Sequence, residues 1–358
     1  MFYREAKTLS SAGYEIVFIC QHVGATVVDG IRIIPLPRPK SRLDRFTRIT
    51  LEVLVLAIKE NAAIYHLHSP ELIPMGLLLK LLGKKVIYDA HEAFEQKILS
   101  KEWIHPMLRR PFSVVFRWFE NSSSRCLDHV LAADRFTARQ FPQKNVTVVA
   151  NYPVLSLLKG AETVAVPKPA AGKTRLIYAG GITRDRGLFQ MVTTLDLLSD
   201  LDIELYLLGS FSLPQEEEAV RRIDRVRHLG FVPLETVLAQ LSSASLGLAL
   251  FQPVPAYLYA GENTNKVFEY MACGLPVIAS DFPNLREIVV GAGCGLCVDP
   301  TSPEEIAKAI RLLHENPQMR AEMGQNGRRA VAKQYNWEME SVKLLAVYRR
   351  LYGADRSV

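Results

Sequence analysis

Lys266 and Glu269 lie one helical turn apart in the segment NTNKVFEYMACGLPVIASD, residues 263–281. Gly274 and Pro276 predict the end of that helix. A helix N-terminus carries partial positive charge and free N–H groups, and Lys266 adds a full positive charge. The N-terminus of this helix and Lys266 together therefore suit a phosphate. Glu269, on the same face, suits the hydroxyls of a ribose. A solvated Lys–Glu helix pair is the alternative, and the apolar flanking residues disfavour it.

A second cluster of cations follows the predicted strand in TRLIYAGGITRDRGLFQMV. Gly180 and Gly181 form the turn after this strand, and Arg184 and Arg186 lie in the connection to the next helix. The carboxyl edge of an open sheet faces the ligand crevice, where two guanidinium groups can neutralise a diphosphate. A solvated loop, with Asp185 balancing one arginine, is the alternative interpretation.

Three patterns resemble metal sites, but no metal ligand is predicted from them. Asp200-Leu201-Asp202 spells D-x-D, but it precedes a predicted strand, which favours a turn or a cap. His66 and His68 alternate on a strand and share one face. Three interpretations are open for these histidines: a pair of metal ligands, side chains that line a cleft, or side chains in the core. The last two are favoured. Cys294 and Cys297 form a C-x-x-C without a second ligand pair nearby.

Length and composition predict a globular protein of two domains. The chain has 358 residues, of which 49% are hydrophobic and 22% charged, and its five scattered cysteines indicate a reducing, cytoplasmic compartment. Residues 1–150 hold 21 Lys and Arg against 14 Asp and Glu, a net +7, and residues 151–358 hold 22 against 23, a net −1. The basic half is expected to meet an anionic surface or ligand. No zinc-finger spacing or RNP-like strand occurs, so nucleic acid is not a predicted partner.

Apolar strands alternate with amphipathic helices along both halves of the chain. This alternation predicts an α/β protein with two doubly wound, Rossmann-like domains, whose parallel sheets are covered on both faces. The predicted strands are YEIVFIC, AIYHLHS, KVIYDAH, HVLAA and VTVVAN in the first half, and TRLIYAGG, IELYLLG, HLGFV, SLGLALF, LPVIAS and CGLCVD in the second. The main helices of the second half are predicted near 187–199, 214–227, 234–243, 264–273 and 303–314.

Segments along nearly the whole chain resemble retaining glycosyltransferases of family 4, which have the GT-B fold. The main resemblance is in KVFEYMACGLPVIASDFPNLREIV, and further motifs are HLHSPELIPMGLL, KKVIYDAHEAF, VVANYP, YAGG with RG, LGFVPLETV, and GCGLCVDPTSPEEIAKAI followed by NWEME. Each motif is moderately specific alone, but their order and spacing together are strong. The resemblance implies two domains that face each other across a cleft, and transfer of a hexose-like sugar from a UDP- or GDP-linked donor to a glycan or lipid-linked acceptor.

The resemblance also assigns roles to single residues. Glu269 matches the second glutamate of the family's Glu-x7-Glu motif, whereas Gly261 stands where the first is expected and Glu262 is one place later. Arg186 matches a residue on the donor diphosphate, and His91 one beside the donor sugar. The family's companion arginine is replaced by Gly181, so Arg184 is expected to reach the phosphates instead, and Phe231 matches a loop near the base.

The predicted catalytic residues are His91, Arg186 and Lys266, and the donor-binding set is Gly180, Gly181, Arg184, Arg186, Phe231, Glu262, Thr264, Asn265, Lys266, Val267 and Glu269. A same-face displacement without a metal or other cofactor is expected.

The predicted domains are 1–160 on the acceptor side, a linker at 161–173, a nucleotide-sugar domain at 174–337, and a helix at 338–358 that crosses back to the first domain. The chain opens inside a helix, whereas family members open on a strand. We therefore expect that the first, central strand is missing and that the natural start lies upstream. A protein beginning at Met1 is expected to unfold easily, because the two strands that flank the missing one stay unpaired along that edge.

The segment EWIHPMLRRPFSVVFRWFE mixes Trp, Phe and Arg at helical spacing. Such a helix either lies in the interface of an anionic membrane, where a lipid-linked acceptor waits, or packs on its own domain with its arginines solvated. The expected location is therefore the cytoplasm, with peripheral association at the inner membrane face as one alternative. Two other functions stay open: a sugar-nucleotide epimerase on the same fold, and a truncated sugar-nucleotide-binding protein without activity.

Overall fold

The structure is a computed structural model, and it describes residues 1–101, 103–160, 166–170 and 172–353. Residues 161–165 and 171 of the predicted linker, residue 102 of the aromatic segment and residues 354–358 of the predicted last helix lie outside the described residues. The chain divides into two compact units. Unit 1 contains Met1–Asn151 and Glu338–Val358, and unit 2 contains Tyr152–Trp337.

The strands of the described residues alternate with helices in both units. The strands are β1 (Val17–Gln21), β2 (Thr26–Val28), β3 (Ile31–Leu36), β4 (Ile64–Leu67), β5 (Lys85–Ala90), β6 (His129–Ala132), β7 (Val146–Val148), β8 (Thr174–Ala179), β9 (Ile203–Leu208), β10 (Val226–Gly230), β11 (Leu246–Ala249), β12 (Val277–Ser280) and β13 (Gly295–Val298). The helices are α1 (Lys7–Ser11), α2 (Arg42–Asp44), α3 (Thr50–Glu60), α4 (Ile73–Leu81), α5 (Phe94–Leu99), α6 (Pro106–Ser124), α7 (Arg135–Ala138), α8 (Leu155–Gly160), α9 (Leu188–Leu197), α10 (Pro214–Arg221), α11 (Leu234–Ser243), α12 (Asn265–Ala272), α13 (Pro283–Val289), α14 (Pro303–Glu315), α15 (Pro317–Lys333) and α16 (Trp337–Gly353).

Unit 2 is built on one parallel sheet of six strands in the order β10-β9-β8-β11-β12-β13. Counted from β8, this is the 3-2-1-4-5-6 order of a doubly wound nucleotide-binding fold. Apart from the edge strand β10, which contains Arg227 and His228, the strands are rich in apolar residues, as expected for a sheet covered by helices on both faces. The core contains fully buried side chains of β8, β9, β11 and the helices α9 and α14. All six strands predicted for this half are confirmed.

Unit 1 has two smaller sheets. The first contains three strands in the order β1-β3-β2, with β3 parallel to β1 and antiparallel to β2, and the second contains four parallel strands in the order β4-β5-β6-β7. Side chains of β4, β5, α3 and α4 form its core. A helical turn, Phe2–Ala6, precedes α1 and buries Glu5.

Candidate functional site

The order of strands in unit 2 locates its ligand crevice. The chain leaves β8 toward one side of the sheet and leaves β11 toward the other, so the carboxyl ends of β8 and β11 flank the point where a doubly wound fold binds its ligand. Tyr270 of α12 connects β8 and β11 at this point through its hydroxyl group. Its hydroxyl accepts a hydrogen bond from Ala179 N at 3.0 Å and donates to Leu248 O at 3.3 Å. Gly247 makes room for the ring, since a β-carbon there would lie 2.4 Å from it.

Lys266 lies at this point, in the first turn of α12, and is only 9% exposed. Its Nζ lies 3.7 Å from the ring centroid of Tyr178 and 5.0 Å from that of Phe251. No hydrogen-bond acceptor contacts Nζ within the described part of the chain. Burial lowers the pKa of Lys266 well below its ordinary value, and the charge of Arg186 lowers it further. An anion at Nζ would supply the missing acceptor and favour the charged amine.

Arg186 provides the second cation of the site. Its Nε donates to the hydroxyl of Tyr257 at 2.9 Å, and its Nη1 donates to the carbonyl of Gly181 at 3.3 Å, so the guanidinium group is held in one orientation. Both glycines of the turn keep the space beside these cations open. A β-carbon at Gly180, where φ is +134°, would lie 3.3 Å from Nζ of Lys266, and one at Gly181 would lie 3.0 Å from Nη1 of Arg186.

The remaining residues predicted around α12 differ in how they are placed. Glu269 is half-buried, and its charge acts on Lys266. Thr264 is buried and its hydroxyl donates to the carbonyl of Gly261. Asn265 begins the helix and Glu262 is half-buried in the preceding turn. The side chain of Val267 is completely buried, and its N–H already donates to Thr264 O. The role of Val267 in donor binding stays a prediction.

Two further predicted residues, Arg184 and Phe231, are largely exposed. Arg184 forms an ion pair with Glu216 and lies 5.1 Å from the ring centroid of Phe189, and its side chain is 64% exposed. Phe231 follows β10 and is 89% exposed. Their expected roles, at the phosphates and at the base, stay predictions.

His91 belongs to a buried polar cluster of unit 1. Its Nε2 lies 3.2 Å from Oδ2 of Asp89, and the same oxygen lies 3.0 Å from Nδ1 of His68 and 3.6 Å from Nε2 of His66. The sequence showed that His66 and His68 share a face, and their rings are indeed stacked, with centroids 4.3 Å apart. It did not show Asp89 as their common partner, because that contact joins two different strands.

The pKa shifts in this cluster follow from burial and pairing. Burial lowers the pKa of His66, and the neighbouring His68 adds to this effect. Burial also acts to lower the pKa of His68, but the hydrogen bond to Asp89 and the charge of Glu5 outweigh it and raise the pKa. For Asp89, burial is outweighed by the charge of His91 and by both other histidines, so its pKa is strongly lowered.

The sequence analysis also missed the aromatic residues around Lys266 and Arg186. Tyr178 and Phe251 form the aromatic wall at Lys266, and Tyr257 orients Arg186. Tyr178 stands two residues before Gly180 in a segment already selected, so the alternation of side chains along a strand was a usable signal. Tyr257 lies in a loop whose path the sequence does not determine.

Two family models match the chain. Residues 161–330 match Glycosyl transferases group 1, and residues 1–151 match Glycosyltransferase Family 4. The chain belongs to the glycosyltransferases. The family predicted from the sequence is thereby confirmed.

Curated relatives of this glycosyltransferase match it over different lengths. Phosphatidyl-myo-inositol mannosyltransferase of Mycolicibacterium smegmatis is 24% identical over 367 residues, which cover 99% of this chain and 90% of the relative. Two uncharacterized glycosyltransferases of Methanocaldococcus jannaschii are 21% and 26% identical. Their alignments cover 50% and 49% of this chain, and 46% and 48% of the relatives. The chain therefore spans about half the length of these two relatives.

Solved structures show the fold of the glycosyltransferase. Sucrose-phosphate synthase of Thermosynechococcus elongatus superimposes with a TM-score of 0.77 at 20% identity, covering 97% of this chain and 92% of that one. HepE of Anabaena, in complex with UDP-glucose, has a TM-score of 0.69 at 14% identity, covering 94% and 100%. The predicted GT-B fold is confirmed. Each helix within the described ranges is too short or too polar to cross a membrane.

Proposed function

We propose that this glycosyltransferase moves a hexose-like sugar from a UDP- or GDP-linked donor to a glycan or lipid-linked acceptor, with retention of configuration. The observation that carries the proposal is the buried amine of Lys266. It lies at the ligand-binding edge of the unit 2 sheet, beside the oriented guanidinium of Arg186, and no hydrogen-bond acceptor contacts it within the described residues. A donor diphosphate supplies the acceptor oxygens and the negative charge that this geometry favours.

The chemistry assigned to unit 2 is stabilisation of the leaving group. As the bond to the sugar breaks, negative charge grows on the diphosphate. Lys266, Arg186 and the first N–H groups of α12 stabilise that charge, without reorganisation, in a site shielded from water. Protein cations take the place of a metal in this scheme. Glu269 accepts hydrogen bonds from the ribose, and the departing diphosphate helps to deprotonate the acceptor hydroxyl on the same face. The predicted contact of His91 with the sugar completes the assignment.

Similar proteins support the choice of substrates. HepE was solved with UDP-glucose, and the relative from Mycolicibacterium smegmatis is named as a mannosyltransferase for phosphatidyl-myo-inositol. The first supports a nucleotide-linked hexose as donor, and the second supports a lipid-linked acceptor in the synthesis of a surface glycoconjugate.

Incubation with a panel of UDP- and GDP-sugars and glycan or glycolipid acceptors tests the proposal. NMR of the purified product is expected to show a new glycosidic bond with the anomeric configuration of the donor, and Mg²⁺ or Mn²⁺ is expected to change the rate less than about twofold. An inverted product excludes retention, and an epimerised donor without transfer supports the epimerase. Tight nucleotide binding without turnover of any pair supports an inactive binding protein.

We also propose that α6 brings the enzyme to the inner face of an anionic membrane. This helix exposes its apolar side chains and buries polar ones, the reverse of an ordinary surface helix. Met107, Val114, Val115 and Trp118 are 61–80% exposed, whereas the side of α6 toward unit 1 buries Glu120 and several serines. Exposed arginines of the same helix, Arg110 and Arg117, supply positive charge for anionic lipid.

Flotation with vesicles that contain anionic lipid tests this surface. The native protein is expected to float with anionic vesicles and to stay behind with neutral ones. Trp118→Glu is expected to abolish flotation. Leu81→Ser changes an equally exposed apolar residue on α4, which is 84% exposed, and is the matched control that should still bind. Equal flotation of both variants, or none by the native protein, contradicts the assignment.

A further inference from the structure

Four side chains of unit 1 bring their ligand atoms together. Glu5 comes from the turn Phe2–Ala6, His66 from β4, His68 from the residue after that strand, and Asp89 from β5. One carboxylate oxygen or ring nitrogen from each lies within 4.8 Å of all the others. Segments distant in sequence therefore converge on one small volume.

Two atoms of this cluster are buried without a hydrogen-bond partner among the residues that the structure describes. They are Oε2 of Glu5 and Nε2 of His66, and Glu5 is only 6% exposed. Nε2 of His66 lies 3.6 Å from Oδ2 of Asp89, which is too long for a hydrogen bond. Burying a carboxylate oxygen and a ring nitrogen without partners is costly, so both atoms point to a ligand that accepts electron pairs.

Three of the distances within the cluster lie close to the spacing around a small metal ion. In tetrahedral zinc sites, ligand atoms about 2.0–2.1 Å from the metal lie roughly 3.4 Å from one another. Here Nδ1 of His68 lies 3.0 Å from Oδ2 of Asp89 and 3.7 Å from Oε2 of Glu5. The contact of His66 with Asp89, at 3.6 Å, falls in the same range.

Charge and orientation agree with that geometry. Metal-binding imidazoles are neutral, so with both carboxylates ionised the four ligands carry a net charge of −2, opposite in sign to a divalent cation. His91, whose Nε2 lies 3.2 Å from Oδ2 of Asp89, borders this set and is not counted in it. The ring of His66 is held from behind, because its Nδ1 lies 2.9 Å from the hydroxyl of Tyr348 on α16. When Nδ1 carries the proton and donates it to Tyr348, Nε2 presents its lone pair to the cluster. Metal-binding histidines are typically oriented by such a partner.

We propose that Glu5, His66, His68 and Asp89 bind one divalent transition-metal cation of the zinc type. Nitrogen and carboxylate ligands in this number suit zinc and cobalt better than magnesium, which prefers oxygen ligands alone. The cation links the first helical turn of the chain to β4 and β5, and so stabilises unit 1. This proposal does not rest on the proposed function, because its test measures metal binding and not sugar transfer.

The test uses the full chain, stripped of metal by a chelator that is then removed. Titration with Zn²⁺, followed by calorimetry, is expected to give one site per chain and a thermal midpoint that rises with Zn²⁺ concentration. Titration with Co²⁺ is expected to give the visible absorption of a four-coordinate site. His66→Ala and Glu5→Gln are each expected to weaken Zn²⁺ binding by more than about 100-fold, and Tyr348→Phe by about 10-fold, as expected for an orienting partner.

His22→Ala is the matched control, because His22 is an exposed histidine of the same unit. It should leave affinity and the cobalt spectrum unchanged. Glu5→Gln preserves the shape of the side chain, so it keeps the test valid if His66→Ala fails to fold. The proposal is overturned if the stripped protein binds neither metal. It is also overturned if His66→Ala and Glu5→Gln bind Zn²⁺ as tightly as the native protein, because the metal then binds elsewhere.

Discussion

Unit 1 and unit 2 both bury side-chain atoms that lack hydrogen-bond partners among the described residues, but these atoms differ in charge. In unit 2 these atoms include the side-chain nitrogen of Lys266, with the guanidinium of Arg186 nearby, and Nε of Arg175. In unit 1 the corresponding atoms include a carboxylate oxygen of Glu5 and a ring nitrogen of His66. Buried charges are costly unless they are paired. This contrast in charge underlies the two proposals made above, an anion site in unit 2 and a cation site in unit 1.

The architecture of the two units differs in a parallel way. Unit 2 places its cations at the strand ends of one continuous sheet, where the strand order itself makes a crevice. Unit 1 collects its acids and histidines from β4, β5 and the turn before α1. The strands of unit 1 form two separate sheets, one of three strands and one of four. Strand order therefore explains the site of unit 2, whereas only side-chain contacts reveal that of unit 1.

The largest effect is expected from Lys266→Met. Methionine keeps the packing against Tyr178 and Phe251 but removes the charge, so kcat/KM for the donor should fall about 100- to 1000-fold. The thermal midpoint without nucleotide should not fall, because the variant no longer buries a polar nitrogen. Nucleotide binding to the native protein should take up a proton, since a diphosphate restores the charge of an amine whose pKa is lowered. Calorimetry in buffers of different ionisation enthalpy measures this uptake.

Lys308→Met provides the control for this variant. Lys308 is an exposed lysine of α14 in the same unit, and its replacement should leave turnover and proton uptake unchanged. If Lys266→Met retains native turnover, the buried amine does not contact the donor, and the proposed anion site of unit 2 is wrong.

Glu120 sharpens the comparison from the side of unit 1. This carboxyl group of α6 is 2% exposed and accepts a hydrogen bond from the hydroxyl of Tyr88 at 2.6 Å. Burial, with a contribution from Glu95, raises its pKa from 4.5 to about 7. The folded state thus binds more protons than the unfolded chain between these values, so the free energy of unfolding falls as pH rises from 4.5 to about 7.

Glu120→Gln should remove that dependence. The variant is expected to be more stable than the native protein by roughly 3 kcal/mol at about pH 8, and equally stable near pH 4. Denaturant unfolding at several pH values measures the difference. Glu15→Gln, at an exposed position of unit 1, should show no such trend. A constant difference at every pH would mean that folding does not shift the pKa of Glu120.

The sequence was most informative for unit 2. Long apolar strands separated by turn residues predicted all six strands, and the positions of Arg186 and Lys266 after two of them indicated the site. Helices α13 and α15 were missed. In α15, Gly324 and Gly327 resemble breakers, but the fold requires them. A β-carbon at Gly324 would lie 2.2 Å from the carbonyl oxygen of Gly274, and one at Gly327 would lie 3.1 Å from Cα of Met271.

The sequence was less informative for unit 1. Strand β3 was missed because IRIIPL contains Pro35, and proline disfavours a strand interior. Strand β2 was missed because it has only three residues, too few to show an alternating pattern. Helices α3 and α5 were also missed. The contact of His68 with Asp89 joins residues 21 positions apart, and that of His66 with Tyr348 joins residues 282 apart. Periodicity describes local structure, so it does not predict which distant side chains meet.

Comparison of Arg186→Lys with Arg184→Lys tests which guanidinium serves the diphosphate. Lysine keeps the charge at position 186 but loses the hydrogen bonds to Tyr257 and Gly181 and the bidentate geometry. We expect kcat/KM to fall about 30-fold for Arg186→Lys, less than for a variant without charge. Arg184→Lys should change it less than about threefold, since Arg184 pairs with Glu216. The reverse order would show that Arg184 leaves Glu216 to bind the donor.

The smallest effect is expected from Phe231→Ala. An aromatic ring that is 89% exposed contributes little to folding, so the thermal midpoint should stay unchanged. If the ring stacks on the base of the donor, KM should rise about 3- to 10-fold, the range that one exposed aromatic contact supports. Phe231→Tyr should preserve binding because it keeps the ring, and Leu213→Ala, at another exposed apolar residue of unit 2, should not affect it. An unchanged KM for Phe231→Ala would limit nucleotide recognition in unit 2 to the diphosphate and the ribose.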